Sequence, residues 1–304
     1  MKGTMVAMAG LLGAGVAVWA LTPTGQRWFA RKFHSPHRLR WAAVILGALL
    51  LTSVGCCMVG HQNPLWGQIV AFLALAALLF ACLLAPAFRI RAGVVAQPRR
   101  VLAIGAHPDD LELACGATLA KLADAGHEVR TMVMSSGSEG GNSTVRVAEA
   151  ASGSEFMGAA AVEVHDFTDT SLSEHALEMV QAIEAIMEDF QPDVVMTHSR
   201  HDYHQDHLAV HSATMRAARQ HSSILCFESP SSTRQFDPSV FVDIAGYVDV
   251  KVHAVAMHRD QKGKPYMTAE RVRSLAAFRG SQVKTTYAEG FEPVRLLGSA
   301  VGEF

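Results

Sequence analysis

Three long apolar runs occupy the start of the chain, at residues 5–21, 41–60 and 66–88, and none contains Asp, Glu, Lys or Arg. A helix needs about 20 apolar residues to span a bilayer. The pattern therefore predicts about three transmembrane helices within a membrane region of residues 1–98.

The first run has a second interpretation as a cleaved signal peptide, because Lys2 precedes a short apolar core. No small-x-small cleavage site directly follows that core, which ends at Trp19 to Pro23. A basic segment from Arg27 to Arg40 comes next, as it does after a stop-transfer sequence. We therefore expect a retained span.

Basic residues in the short loops predict the orientation of these spans. The segment from Arg27 to Arg40 carries five Lys or Arg residues, whereas residues 61–65 carry none. The third run is followed by four arginines, at Arg89, Arg91, Arg99 and Arg100. We expect an integral membrane protein whose first basic loop and C-terminal domain both face the cytoplasm.

From residue 99 to residue 304 the pattern changes to short β-branched runs that alternate with helical periodicity. Six strands are predicted, at Val101–Gly105, Val129–Met134, Val162–Phe167, Asp193–Thr197, Ile224–Glu228 and Phe241–Ile244. Helices are predicted between and after them, at Leu111–Ala125, Thr144–Met157, His175–Phe190, Asp206–His221, Val248–Gln261 and Ala269–Phe278. This alternation predicts an α/β domain with a doubly wound, largely parallel, Rossmann-like sheet.

Composition narrows the possible functions of this domain. The net charge is -2 and no basic stripe lies outside the membrane flanks, which argues against a nucleic-acid partner. Of the five cysteines, only Cys115 and Cys226 fall after residue 98. A disulfide framework is therefore not expected, and a reducing compartment fits the sequence.

The first cluster of chemically active residues follows the first predicted strand. His107, Asp109 and Asp110 stand where the strand ends and a helix begins, with Pro108 among them. One carboxylate could cap the helix, but capping does not account for two carboxylates and an imidazole. The cluster predicts a functional site.

A second cluster follows the fourth predicted strand, where residues 198–207 contain four histidines and two aspartates. Together the two clusters offer His, Asp and His as ligands for Zn²⁺ or another divalent metal. Asp109, next to a ligand, fits a general base. His204 fits the group that stabilises the oxyanion or protonates the leaving amine, and Asp206 is expected to hold His204 in the required tautomer.

A strand that ends in AHPDD, followed at a distance by HxDH, resembles the PIG-L/LmbE-like de-N-acetylases, over roughly residues 99–297. The resemblance implies His107, Asp110 and His207 as the metal ligands. It implies Asp109 as the base, His204 as the catalytic histidine and Asp206 as the carboxylate that orients it. The segment Tyr287–Arg295 is similar to the final strand of that family.

An R-x-x-E pair, Arg146 and Glu149, also matches the family, and it implies that Arg146 binds substrate. The other interpretation of this pair is an exposed ion pair at i, i+3 on one helix.

The resulting expectation is a zinc-dependent deacetylase that removes the N-acetyl group of an N-acetylglucosamine-type sugar conjugate. Its expected partners are that conjugate, with or without a linked lipid, and membrane lipid. The alternatives are hydrolysis of another amide and a non-catalytic, membrane-tethered module that binds sugar or metal. Both catalytic motifs are complete, which favours an enzyme.

Overall fold

A computed structural model of the chain describes residues 2–59, 64–93 and 95–298. Contacts divide the chain into two compact units, Met1–Ile90 and Arg91–Phe304. Each unit is described by itself.

In its described residues the N-terminal unit consists mainly of α-helices. They are α1 (Lys2–Leu21), α2 (Pro23–Lys32), α3 (Pro36–Val59) and α4 (Pro64–Leu84). Helix α1 packs closely on α3 because glycines lie at the contact: a Cβ atom at Gly47 would stand 2.3 Å from the carbonyl oxygen of Gly13. Such small-residue contacts let two helix backbones approach each other.

The expectation of three membrane spans, at residues 5–21, 41–60 and 66–88, is not met in the described part of the chain. One helix there, Pro36–Gly55, is long and apolar enough to cross a membrane. A second qualifies only if Ala7–Leu21 and Pro23–Lys32 are taken together, and these two helices bend by 80° at Thr22. In the third region the apolar helix Phe72–Phe88 is shorter than 18 residues and does not meet this length.

The C-terminal unit is built on a seven-stranded sheet in the order β3-β2-β1-β4-β5-β7-β6. Strands β1 to β5 pair in parallel, whereas β7 runs antiparallel to both β5 and β6. The strands are β1 (Arg100–Gly105), β2 (Glu128–Val133), β3 (Ala161–Val164), β4 (Val194–His198), β5 (Ile224–Phe227), β6 (Val240–Asp243) and β7 (Ala288–Arg295).

Helices follow most of these strands: α5 (Asp110–Ala125), α6 (Ser143–Met157), α7 (Ala176–Phe190), α8 (Gln205–Ala217), α9 (Val248–Val255) and α10 (Ala269–Gln282). Helices α7 and α8 pack together over a core that includes Leu102, Ile104 and Val195 of the central strands. Helices α5, α6 and α9 form a second packed group. Burial of these apolar side chains is the main force that holds the layers together.

The α/β architecture and the largely parallel sheet confirm the fold expected from the alternating pattern, and all six predicted strands occur. Two helices end early. The helix predicted for Val248–Gln261 ends at Val255, and beyond it the N–H groups of Arg259 and Asp260 donate to the Glu149 carboxylate. The helix predicted for Asp206–His221 ends at Ala217.

The strand order reverses between β1 and β4. From β1 the chain builds outward through β2 and β3, and β4 then pairs with the other side of β1. Open α/β sheets bind ligands at such a reversal, outside the carboxyl ends of the strands. Both polar clusters of the sequence lie at this point.

Candidate active site

The turn from β1 into α5 presents two adjacent carboxylates in different ways. Asp109 is the N-cap residue of α5 and has a φ of 107°, in the left-handed region that Asp tolerates better than most residues. Its side chain makes no capping hydrogen bond. The carboxylate of Asp109 is therefore not used to cap the helix, although it is buried.

Asp110 is anchored by one oxygen. Its Oδ2 accepts the backbone N–H groups of Ala106 and His107 at 3.0 and 2.7 Å. Its Oδ1 faces Nε2 of His207 at 3.4 Å. Burial alone would raise the pKa of Asp110, but the nearby imidazoles of His207 and His198 hold that pKa well below its usual range. Asp110 is therefore a charged, oriented carboxylate.

His207, on the first turn of α8, is held from behind by Asp202, whose Oδ2 lies 2.9 Å from Nδ1 of the imidazole. Asp202 is fixed in turn by hydrogen bonds from the hydroxyls of Ser229 and Ser231. Because Nδ1 faces this carboxylate, Nε2 of His207 is directed at Asp110. Burial would lower the pKa of His207, yet Asp110 and Asp202 raise it to about 9.

His204 is the N-cap residue of α8, and its Nδ1 accepts the backbone N–H of Asp206 at 3.2 Å. The neutral ring therefore carries its proton on Nε2. Burial, followed by the charges of His207 and His107, lowers the pKa of His204. The backbone, rather than a carboxylate, sets its tautomer.

The expected role of Asp206 differs from the observed geometry. Among the described residues no hydrogen bond joins its carboxylate to His204. Its Oδ2 lies 3.0 Å from Nε2 of His107 and accepts the N–H of Thr170, while its Oδ1 accepts the N–H of Leu172. The physical reason is helical geometry, since residues i and i+2 at a helix start do not face each other.

His107 lies between carboxylates on both sides of its ring. Nε2 contacts Asp206 and also Asp169, at 3.1 Å, and Nδ1 stands 3.5 Å from Oδ2 of Asp110. Asp169 also accepts the backbone N–H of Glu139, which ties the loop after β2 to the site. Carboxylates in this position orient an imidazole that binds a metal.

The expected ligands are divided between overlapping groups of possible metal-binding atoms: His107 and His207 share one group, and Asp110 and His207 share another. In each group one donor atom per residue lies within 4.8 Å of the others: His107, His204 and His207; Asp110, His198 and His207; His107, Asp169 and Asp206. His198, the last residue of β4, is buried and stacks on His207 with ring centroids 3.9 Å apart. Imidazole nitrogens with carboxylate oxygens suit Zn²⁺ and similar ions.

A cavity of about 310 Å³ opens onto this cluster. Asp109 lines it, and burial and then the charge of Asp110 raise the pKa of Asp109 to about 7. No hydrogen-bond partner satisfies its Oδ2 among the described residues. A buried carboxylate with an unused oxygen, beside a possible metal site, has the properties required of a general base.

Arg146 also lines the cavity, but most of its donors serve the protein itself. Nη1 donates to the carbonyl oxygen of Gly137 at 2.5 Å and Nη2 to that of Pro108 at 2.9 Å. Nη2 lies 3.6 Å from Asp109. The proposed ion pair with Glu149 on the helix surface is not formed, because Arg146 is buried and Glu149 accepts N–H groups from the chain after α9.

Sequence reasoning missed three groups that shape the site: Asp169, Asp202 and Tyr266. Asp202 was detectable, since it stands five residues before His207 in the same cluster. Asp169 follows a strand at the edge of the sheet and Tyr266 follows α9. No local spacing in the sequence marks either of these two.

Known proteins share this architecture. Residues 102–218 match the family described as GlcNAc-PI de-N-acetylase, PIG-L. The chain is 37% identical over 166 residues to the uncharacterized deacetylase YaiS of Escherichia coli (strain K12), covering 52% of this chain and 90% of that protein. It is 26% identical over 224 residues to diacetylchitobiose deacetylase of Thermococcus kodakarensis, covering 63% and 82%.

A solved structure, N,N'-diacetylchitobiose deacetylase from Pyrococcus horikoshii, superposes with a TM-score of 0.57 at 21% identity, over 67% of this chain and 89% of that one. At that identity the likeness concerns the fold.

Fold, site and relatives together define an enzyme of the deacetylase class, which hydrolyses N-acetyl amide bonds. The chain belongs to the PIG-L family, the GlcNAc-PI de-N-acetylases.

Proposed function

We propose that the enzyme uses Zn²⁺, or another divalent metal, to hydrolyse the N-acetyl group of an amino-sugar conjugate, with release of acetate and a free amine. The observation that carries this proposal is the convergence of Asp109, Asp110, His107, His204 and His207 on one cavity. The named activity of the Thermococcus kodakarensis relative, on diacetylchitobiose, supports a sugar substrate.

In the proposed site His107, Asp110 and His207 hold the metal. The donor atoms fit this role because one oxygen of Asp110 and one nitrogen of His207 are fixed by other contacts, which leaves Oδ1 and Nε2 3.4 Å apart. The chemistry expected of a divalent ion in such a site is Lewis acidity, which polarises an amide carbonyl and makes a neighbouring water more acidic.

Asp109 is the proposed base. It takes a proton from the attacking water because its carboxylate is buried, lines the cavity and has no hydrogen-bond partner at Oδ2 among the described residues. An Asp in this position must be deprotonated to act, and its raised pKa makes it a stronger base than an exposed Asp.

His204 is the proposed donor to the developing oxyanion or to the leaving amine. With Nδ1 committed to the N–H of Asp206, only Nε2 carries a proton. Asp206 contributes through His107 instead, because its carboxylate orients that imidazole from Nε2. His204 and Asp206 of the HxDH motif therefore have separate proposed roles: His204 donates a proton, and Asp206 orients His107.

The test is acetate release from N-acetylglucosaminyl conjugates by wild type and Asp109→Asn, with bound metal quantified in each preparation. We expect a loss of about 10²–10⁴-fold in Asp109→Asn with the metal retained. Asp110→Asn is the matched variant, and it should lose metal and activity together. Full metal occupancy in wild type without acetate release from any conjugate would move the proposal to another amide.

We further propose that the N-terminal unit anchors the enzyme in a membrane, with the C-terminal unit on the cytoplasmic side. Apolar side chains on its helices are exposed, including Leu11 at 72%, Phe72 at 72% and Leu83 at 78%. Lipid would cover them. The basic segments at Arg27–Arg40 and after Arg89 share one side only if α3 crosses and the chain crosses back before Arg89, where the apolar helix Phe72–Phe88 is shorter than α3.

Membrane-impermeant maleimide tests this orientation. In a background without native cysteines, Ser35→Cys and Gly93→Cys should both be labelled in inside-out vesicles and protected in sealed right-side-out vesicles. Labelling of the two positions from opposite sides would overturn the proposed topology.

A further inference from the structure

A second cavity, of about 400 Å³, lies beside the catalytic cavity in the C-terminal unit. Helix α10 contributes much of its wall. Leu113, Pro230 and Tyr266 line both cavities. The two cavities therefore share part of their walls, which makes the second cavity the neighbouring space for a group attached to a sugar in the catalytic cavity.

The charged groups of the second cavity are satisfied within the protein. Glu228 accepts two hydrogen bonds from Arg279, at 2.8 and 2.6 Å. Lys251 donates to Glu289 at 2.5 Å and to the carbonyl of Ala114 at 3.1 Å. The remaining cation of the lining, Arg271, is exposed.

Helix α10 lines this cavity with four apolar residues and with Arg271, Ser274 and Arg279. Val272 and Ala276 are buried, whereas Leu275 is 37% and Phe278 55% exposed. An apolar occupant gains free energy by covering such surface, while a hydroxyl-rich one needs free donors and acceptors. Because Glu228 pairs with Arg279 and Lys251 with Glu289, Arg271 and the hydroxyl side chains are the polar side chains of the lining that remain.

We propose that this second cavity binds an apolar group attached to the N-acetylated sugar, so that the substrates are amphiphilic conjugates with an alkyl or aryl aglycone. This inference rests on the proposed deacetylase function and names its substrate class. The catalytic cavity selects the N-acetyl amino sugar, and the second cavity selects what the sugar carries.

The test measures kcat/KM for methyl, propyl, butyl and phenyl N-acetylglucosaminides and for N,N'-diacetylchitobiose. The full chain is used in lipid nanodiscs, because detergent would compete for an apolar cavity. We expect kcat/KM to rise about threefold for each added methylene. A flat series, or a gain from the second sugar larger than that from phenyl, overturns the proposal.

Two variants locate the effect. Ser274→Trp fills the cavity from α10 and should abolish the gain from butyl and phenyl while leaving the methyl glycoside unchanged. Ala277→Trp is the matched control, since Ala277 is exposed on the same helix and does not line the cavity. Leu275→Ala removes apolar wall without added bulk and should reduce the gain. An undiminished gain in both cavity variants overturns the assignment.

A binding measurement separates failure of this inference from failure of the proposed reaction. Calorimetry with Asp109→Asn should give a lower Kd for the phenyl than for the methyl glycoside, by the factor seen in kcat/KM. If no conjugate is hydrolysed but the phenyl glycoside still binds more tightly than the methyl glycoside, the proposed hydrolysis of amino-sugar conjugates is overturned and the cavity assignment stands. Equal or undetectable binding of the two glycosides overturns the assignment.

Discussion

Asp202 and His207 form a carboxylate–imidazole pair at the start of α8, with Oδ2 and Nδ1 2.9 Å apart. The carboxylate fixes the ring so that Nε2 points at Asp110. Asp202 is itself held by the hydroxyls of Ser229 and Ser231 and by the N–H of His204. The loop after β5 therefore supports a proposed metal ligand that it does not itself supply.

Asp202→Asn should weaken metal binding by about 10–100-fold, because an amide orients and polarises the imidazole less well than a carboxylate. Competition with a fluorescent chelator measures this affinity. Asp189→Asn is the control, since that carboxylate is exposed on α7. Unchanged metal affinity in Asp202→Asn would mean that the pair only stabilises the loop.

Arg146→Lys should lower kcat by about 10²-fold with little change in KM. A lysine cannot hold the carbonyls of Gly137 and Pro108 at once in the geometry of the guanidinium, and a small displacement of the Asp109 turn is enough for that loss. Steady-state kinetics separate the two parameters. A raised KM with unchanged kcat would instead identify Arg146 as a group that binds substrate uniformly.

The buried pair of Lys251 and Glu289 joins α9 to β7. Lys251→Met should destabilise this region by about 3–5 kcal/mol, because it leaves the Glu289 carboxylate buried without its cation. Native-state hydrogen exchange of the β7 amides measures the change. Adding Glu289→Gln should recover part of it, since a neutral amide needs no cation and its oxygen can still accept from the N–H of Thr118. No recovery would contradict this account.

Glu292 of β7 makes the stability of the β4–α8 loop depend on pH. Burial alone would raise the pKa of Glu292, but hydrogen bonds from the Ser199 hydroxyl, the Asp237 N–H and His201 lower it below its usual value. A lowered folded-state pKa gives stability that is present above the unfolded pKa and is lost as pH falls through the folded one. Tm followed by circular dichroism from pH 7 to pH 3 should therefore fall less steeply in Glu292→Gln. Identical slopes would count against the linkage.

The sequence predicted much of the sheet and the meeting of its two motifs. Strand periodicity and the reversal rule bring His107, Asp110 and His207 to one edge, because parallel strands share a direction. It did not predict which imidazole a carboxylate would face. Asp206 is two residues from His204 in the sequence, but its carboxylate contacts His107, which is 99 residues away.

The membrane region shows a different limit. Apolar run length predicted three spans but carried no information on the bend at Thr22, where Pro23 begins α2. Arg146 illustrates a third limit, since a matching i, i+3 spacing on α6 did not reveal that its guanidinium turns inward to the loop at Gly137. Contacts from distant segments decide both cases.

The 99 residues between His107 and Asp206 also order events during folding. The intervening chain contains β2, β3 and β4 with the helices between them, and β4 pairs with the side of β1 opposite to β2. Closing so long a loop costs entropy, which the pairing of β4 with β1 and the packing of α7 on α8 offset. A chain that has not yet incorporated β4 into the sheet brings together His107 and Asp110 but not His207, the third proposed ligand, so the rate of metal uptake during refolding should report when the sheet is completed.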